Sequence, residues 1–155
     1  MLSSSSALSV GLISDTHGLM RPEALTALAG SRYIVHAGDI GDPAVLEQLA
    51  RIAPVTAVRG NNDAGQWASA LRETEILEVG NTRIFVVHDV AALEGAPKGF
   101  DVVVAGHSHR PREERRDGVL FVNPGSAGPR RFKLPVAVAR LQIAGKRVRF
   151  ELLPL

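Results

Sequence analysis

The 155-residue chain has no cysteine. That excludes disulfides and thiolate metal sites, so any metal must be held by imidazole, carboxylate, amide or water, donors suited to hard or borderline ions. Aromatic residues make up only 5% of the chain, with one tryptophan and one tyrosine. Base-stacking surfaces for nucleic acid therefore have little material. Long apolar runs are missing too, and the opening "MLSSSSALS" has no basic segment before an apolar core. Neither a membrane span nor a secretory leader is expected, and a cytoplasmic protein is. Residues 1–7 read as a flexible serine-rich tail and residues 8–155 as a single domain. A net charge of +2 does not by itself mark a nucleic-acid binder.

What is present has a clear rhythm. "LSVGLI" reads as a short buried strand running into "SDTHG". "RPEALTALAG" follows as a helix with proline in its first turn and Gly30 at its end. "YIVHAGD" repeats the strand, "DPAVLEQLAR" the helix with Asp42 as N-cap and Pro43 behind it, and "PVTAVRGNND" supplies a third strand. Alternation of this kind predicts parallel strands joined by right-handed crossovers. Beyond Ala70 the pattern becomes strand-rich, with hairpins expected at Gly80-Asn81, Asp117-Gly118 and Ala144-Gly145. The expected fold class is α/β, with two mixed sheets packed face to face and helices outside.

The polar residues at the strand ends carry the chemistry. Asp15 and His17 follow the first strand, Asp39 the second and Asn61 the third; His88 closes "TRIFVVH", and His107 and His109 lie in "AGHSHR". Each alone has an ordinary explanation as a cap, a turn residue or a core histidine. Together they end successive strands, and parallel strands deliver their ends to one rim. Apart from His17 they offer three imidazoles, two carboxylates and an amide, enough for one and a half to two octahedral shells completed by water. The two oxygens of Asp39 suit it to bridge two dications about 3.5–4 Å apart.

In this order, "SDTHG", "HAGDI", "RGNND", "VVHD", "AGHSH" and "VNPGS" resemble the calcineurin-like metallophosphoesterase superfamily, particularly its small bacterial and archaeal phosphodiesterases. The resemblance spans residues 8 to about 150. It implies a four-layer α/β/β/α sandwich and a two-metal centre, with manganese the leading ion and iron, nickel, zinc or magnesium as alternatives. It further implies that Asp15, His17, Asp39 and His109 hold one metal and Asp39, Asn61, His88 and His107 the other. The implied activity is phosphodiester hydrolysis by a metal-bridging hydroxide, on a small phosphoester substrate.

Two departures from the family pattern stand out. Asn62 occupies the position where many members carry a histidine that protonates the leaving group, and "HDV" places Asp89 where several relatives read "HGH". Asn62 and Asp89 are thus the residues that decide whether a general acid exists. Asp63 reads as a helix N-cap with Gln66 in the capping-box position, His36 as a packing residue, and Asn123 as a loop-shaping residue. Ser126, Arg130 and Arg131 are the candidate phosphate contacts. Two rival readings remain. One is a non-catalytic protein-binding scaffold resembling a retromer subunit, expected to have lost ligands where this chain keeps all seven. The other is a nuclease, suggested by arginines 110–116, 130 and 131 but disfavoured because acids intervene and a charged edge strand explains the first group. A homodimer or homotetramer is a further expectation.

Overall fold

The computed structural model describes residues 7–155, so residues 1–6 of the expected tail lie outside the described residues. Strand β1 (Leu8–Ile13) is followed by α1 (Pro22–Leu28), β2 (Tyr33–His36), α2 (Pro43–Ala50), β3 (Val55–Ala57) and a one-turn α3 (Gln66–Ser69). Strands β4 (Thr74–Val79), β5 (Thr82–Val87), β6 (Val102–Val104), β7 (Arg112–Arg116), β8 (Val119–Asn123), β9 (Ala137–Ala144) and β10 (Arg147–Pro154) complete the chain. The first sheet has the order β10-β9-β1-β2-β3 and the second β4-β5-β6-β8-β7. In the first, β1, β2 and β3 run parallel, β9 pairs antiparallel with β1, and β10 pairs antiparallel with β9. In the second, β5, β6 and β8 are parallel, with antiparallel β4 and β7 at the two edges. Both sheets are mixed, as expected.

The alternating burial of β5 and the full burial of β6 and β8 follow from where their faces go. Val10, Leu12, Val35, Ile84, Val86, Val102, Leu120 and Leu141 meet between the sheets in an interior built almost wholly of aliphatic side chains. Truncating one of them, for instance Leu12→Ala, is expected to cost about 2–5 kcal/mol. On the outer face of the first sheet, Leu28 of α1 and Val45 and Leu49 of α2 cover Ile13, Ile34 and Val138. Asp42 caps α2 by accepting from the Ala44 N–H at 2.8 Å, and Pro43 opens the helix.

The outer face of the second sheet is covered more thinly. A single 3-10 turn (Val90–Ala92) and the loop through residue 100 lie over Val87, Val103, Val119 and Phe121. Strand β7 stands at the sheet edge with Arg112, Glu113, Glu114, Arg115 and Arg116. A row of charges at that place deters pairing with another strand. No helix among the described residues is long and apolar enough to cross a membrane.

Candidate metal centre

The two sheets present the C-terminal ends of their parallel strands at a common rim. The loop after β1 carries Asp15 and His17, and the loop after β2 carries Asp39. These loops extend the parallel pairing past the strands, with Asp15 N–H donating to Gly38 O (3.0 Å), His17 N–H to Asp39 O (2.9 Å) and Gly18 N–H to Ile40 O (2.7 Å). Asn61 arrives on the loop after β3, His88 directly after β5, and His107 and His109 after β6. Across the sheets, the His107 N–H donates to Asp15 Oδ2 at 3.0 Å, and His88 Nδ1 lies 2.7 Å from Ala37 O.

Backbone conformation sets this rim apart. Among the described residues, seven that are not glycine have positive φ, and five of them are Asp15 (55°), His17 (47°), Asp39 (55°), His107 (71°) and His109 (63°). Left-handed backbone is costly for residues with a Cβ and persists where the surroundings impose it, commonly at functional sites. Here it turns side chains from three loops toward one another.

The donor atoms form two groups sharing Asp39. In the first, His109 Nε2 lies 3.4 Å and His17 Nε2 3.9 Å from Asp15 Oδ1, and His17 Nε2 lies 3.8 Å from Asp39 Oδ2. In the second, Asn61 Oδ1 is 2.9 Å from His88 Nε2 and 3.2 Å from His107 Nδ1, and the two ring nitrogens are 3.3 Å apart. Asp39 Oδ2 stands 3.4 Å from His88 Nε2, so one carboxylate oxygen faces both groups. Neighbouring ligands on a divalent ion with bonds of about 2.1 Å are separated by about 3.0–3.4 Å, and the second group has that spacing.

Hydrogen bonding provides an independent test of fit. Asp15 Oδ1 and His17 Nε2 are buried with no hydrogen-bond partner, which is costly unless something else satisfies them. Asp15, His17 and His109 place their donor atoms within 4.8 Å of one another, as do Asp15, Asp39 and His88. If His88 Nδ1 carries the proton toward Ala37 O, its Nε2 is bare toward the cluster, the tautomer a metal ligand needs. The residues present fit a pair of divalent cations.

Burial and neighbouring charges act in opposite directions on the titratable groups of the rim. Burial acts to raise the Asp39 carboxyl, but the His88 ring and the Asn62 backbone N–H outweigh it and hold the group well below the usual carboxylate range. For His88, burial acts downward, and the opposing Asp39 and Ala37 O leave it above the ordinary histidine value. Burial pushes His109 below that value against the pull of Asp15, and the Arg131 charge adds to the push. His36 is fully buried and lowered to about 3, first by desolvation and then by the charge of His88.

The surrounding residues have definite positions. His36 Nδ1 accepts the Gly38 N–H at 3.1 Å, so its Nε2–H points at Thr16 Oγ1, 3.0 Å away. This ring ties the first two ligand loops together, in keeping with its expected packing role. Asn123 shapes the neighbouring loop by donating to Gly106 O (2.9 Å) and accepting from Gly125 N–H (2.8 Å). Asn62 reaches Asp39 with both its N–H groups, the backbone to Oδ1 at 2.9 Å and the side chain to Oδ2 at 3.0 Å. Asp89 is half-exposed, caps the 3-10 turn through Ala91 N–H, and places Oδ2 3.7 Å from His107 Nε2.

Two expectations are corrected. Asp63 does not cap α3, whose N-cap is Gly65. Its carboxylate instead accepts from the Gly60 and Gly41 N–H groups, both at 2.9 Å, and pins the Asn61 loop to the Asp39 loop. The buried Gly60 amide needs an acceptor, which outweighs a cap on a one-turn helix. Ser126 is buried and already engaged: its hydroxyl donates to Asp15 O (3.1 Å) and accepts from Gly128 N–H (3.1 Å). It builds the loop and is not free for phosphate. Arg130 and Arg131 are exposed, and Arg131 is near enough to His109 to act on it.

Sequence reasoning missed Ser14 and Arg21. Ser14 Oγ donates to Asp15 Oδ2 at 2.6 Å, and the Arg21 guanidinium donates to Ala127 O and Gly128 O, holding the loop that packs on Asp15. The serine beside "DTH" was a local hint, whereas the contacts of Arg21 span more than a hundred residues.

Residues 8–146 match the calcineurin-like phosphoesterase superfamily domain. A probable metallophosphoesterase of Methanothermobacter thermautotrophicus is 32% identical over 158 residues, covering 93% of this chain and 91% of the relative. A solved structure described as a novel archaeal phosphodiesterase superposes with a TM-score of 0.78 at 25% identity, covering 94% of this chain and 100% of the other. Vps29 of Chaetomium thermophilum superposes with a TM-score of 0.77 at 19% identity, covering 96% and 97% of the two chains, a likeness of fold.

Proposed function

Because the chain belongs to the calcineurin-like phosphoesterase superfamily and is a hydrolase of that family, we propose that it is a phosphodiesterase working at a two-metal centre. The observation that carries this reading is the meeting of two donor groups at Asp39, whose Oδ2 lies 3.8 Å from His17 Nε2 and 3.4 Å from His88 Nε2. Asp15, His17, Asp39 and His109 would hold one ion, and Asp39, Asn61, His88 and His107 the other. A bound pair of dications, manganese being the leading choice, supplies Lewis acidity toward the phosphoryl oxygens and makes water nucleophilic near neutral pH.

The protein's own part is to position and to exclude alternatives. Asn62 holds the Asp39 carboxylate by both oxygens, through its backbone N–H and its side-chain amide, which fixes the orientation of the carboxylate toward the two groups. The His36 and Asp63 hydrogen bonds fix the loops behind it. Asn62 takes no part as an acid, because an amide delivers no proton at neutral pH. A departing alkoxide therefore leaves unprotonated unless Asp89, the half-exposed carboxyl group at the mouth, supplies the proton. Arg131, beside His109, is the better placed of the two arginines to meet a phosphate.

The test is Asp39→Asn with metal analysis of protein purified without chelator and an assay on an aryl phosphodiester. Native protein should carry close to two ions and turn over; the variant should lose turnover. Unchanged activity with full metal content would sink the assignment. Native protein with neither bound metal nor activity across divalent ions would favour the scaffold reading.

A further inference from the structure

We infer that Arg21 is a positioning residue for the phosphate contact at Arg131, an inference that rests on the phosphodiesterase reading above. Arg21 stands at the N-cap of α1 but its side chain does not cap the helix, which Pro22 opens behind it. The side chain is therefore free of its own helix. It crosses to the loop after β8, where Nε donates to Ala127 O at 3.2 Å and Nη2 to Gly128 O at 3.1 Å. A planar guanidinium can give two N–H groups in a fixed fork to two neighbouring carbonyls, which the single ammonium of a lysine cannot do.

Those two carbonyls mark where the loop leaves the body of the protein. Up to Gly128 it is closely held. Ala127 N–H donates to Ser14 O at 3.0 Å, the Ser126 hydroxyl links Asp15 O to Gly128 N–H, and a Cβ on Gly128 would overlap Asp15 O. From Pro129 to Leu134 there is no hydrogen bond to the rest of the chain among the described residues; Leu134 N–H to Arg131 O, at 3.1 Å, is internal to the segment. The far end is fastened again by Ala137 N–H to Ser126 O at 2.9 Å. Arg130 and Arg131 thus ride on a span tethered at its ends, and Arg21 grips the end nearer to them. Pro129, with its fixed φ, passes the orientation of Gly128 on to the two arginines.

The same contacts decide what the loss of Arg21 disturbs. Ala127 and Gly128 are buried, and buried carbonyls deprived of their donors are costly. The loop must then rise toward water, which carries the Arg131 charge away from its place beside His109. Asp15 meanwhile keeps Ser14 Oγ, the His107 N–H and its own N–H bond to Gly38 O. The metal ligands stay and the phosphate contact moves.

The assignment is tested by steady-state kinetics of manganese-loaded protein on an aryl phosphodiester, with calorimetric titration by inorganic phosphate beside it, in native protein, Arg21→Ala, Arg21→Lys, Arg131→Ala and the double variant of Arg21→Ala with Arg131→Ala. Arg21→Ala should raise KM and weaken phosphate binding about threefold to tenfold, with kcat changed by less than about twofold and metal content kept. Arg21→Lys, able to reach one carbonyl, should fall between. In the Arg131→Ala background the same change should add less than about twofold, because nothing is left to position, whereas independent supports would multiply. Should Arg21→Ala fail to fold, Arg21→Lys carries the comparison, with a smaller rise in KM that again vanishes in the Arg131→Ala background. Native KM and phosphate affinity in a folded Arg21 variant, effects that multiply in the double variant, or loss of metal in step with loss of phosphate binding would each overturn the role. If native protein binds metal and phosphate but hydrolyses no phosphoester, the activity reading fails, and the phosphate titrations still decide the role of Arg21.

Discussion

Replacing Gly106 with alanine tests how closely the metal centre depends on packing between the sheets. A Cβ on Gly106 would overlap Ser14 Oγ and stand 2.6 Å from Asp15 Oδ2 and 3.0 Å from Ser14 Cβ. To make room, Ser14 must rotate away from its 2.6 Å hydrogen bond to Asp15 Oδ2. A hydrogen bond to a charged group contributes about 1.5–3 kcal/mol, and overpacking a tight site costs about 1–3 kcal/mol more. The neighbouring His107 N–H, which also donates to Asp15 Oδ2, shifts with it. If half of this total falls on the ligand geometry, metal affinity drops roughly tenfold to a hundredfold. Gly80→Ala is the contrast: at φ +59° with nothing within 4 Å of the added carbon, it should cost about 1 kcal/mol through the backbone alone. Metal-titration calorimetry and urea unfolding of both variants separate the effects. Native metal affinity in Gly106→Ala would refute the packing argument, and equal metal loss in Gly80→Ala would show that affinity merely follows global stability.

The other expectations concern chemistry, pH and charge. Since Asn62 cannot deliver a proton, help typically worth about 10²- to 10⁴-fold is absent unless Asp89 supplies it; aryl diesters should be cleaved far faster than alkyl diesters of matched size, and equal rates where chemistry limits turnover would show that a proton donor exists. Asp89→Asn should then slow alkyl substrates more than aryl ones, and an equal effect on both would remove Asp89 from that role. Protonating His36 is easier in the unfolded chain, at its ordinary 6.5, than in the fold, where it is lowered to about 3. The stability this group contributes is present above 6.5 and is lost, by an amount on the order of a few kcal/mol, as pH falls from 6.5 toward 3; urea unfolding of chelator-treated protein across that range should show the loss, and an unchanged slope in His36→Gln would reject the assignment to this residue. Arg131→Ala should raise KM for a charged diester several-fold and weaken its salt dependence, and a flat salt profile in the native protein would argue against any phosphate contact there.

Much of the site was readable because its signals are local. A strand followed within a few residues by Asp, Asn or His repeats along the chain, and parallel strands in a sheet bring such ends together whatever lies between them. The same locality explains the successes at Asp42, where a capping residue precedes proline, and at β7, where an unbroken run of charged residues marks an edge. It also explains the errors. Asp63 carries the local signature of a helix cap, but the amides it satisfies belong to Gly60 and to Gly41, the latter 22 residues away. Ser126 looked available beside a phosphate-reading stretch, whereas its partner Asp15 O lies 111 positions earlier. Asn62 could be recognised as unable to donate a proton; that it grips Asp39 depends on how two loops meet.

The positive-φ residues of the rim show how the fold and the candidate site are joined. Each such residue costs on the order of 1–3 kcal/mol relative to relaxed backbone, and five of them stand at one rim. That cost is held in place by hydrogen bonds linking the loops of the first sheet to each other and to the second sheet, among them His107 N–H to Asp15 Oδ2 and the contact of His88 Nδ1 with Ala37 O. The residues that would bind metal are therefore also the ties that close the sandwich at its functional rim, and the close approach at Gly106 and Gly60 leaves those ties little room to relax. Geometry at the site is consequently a property of how the two sheets pack, which is why side chains as remote from phosphate chemistry as Ser14 and Arg21 belong to its construction.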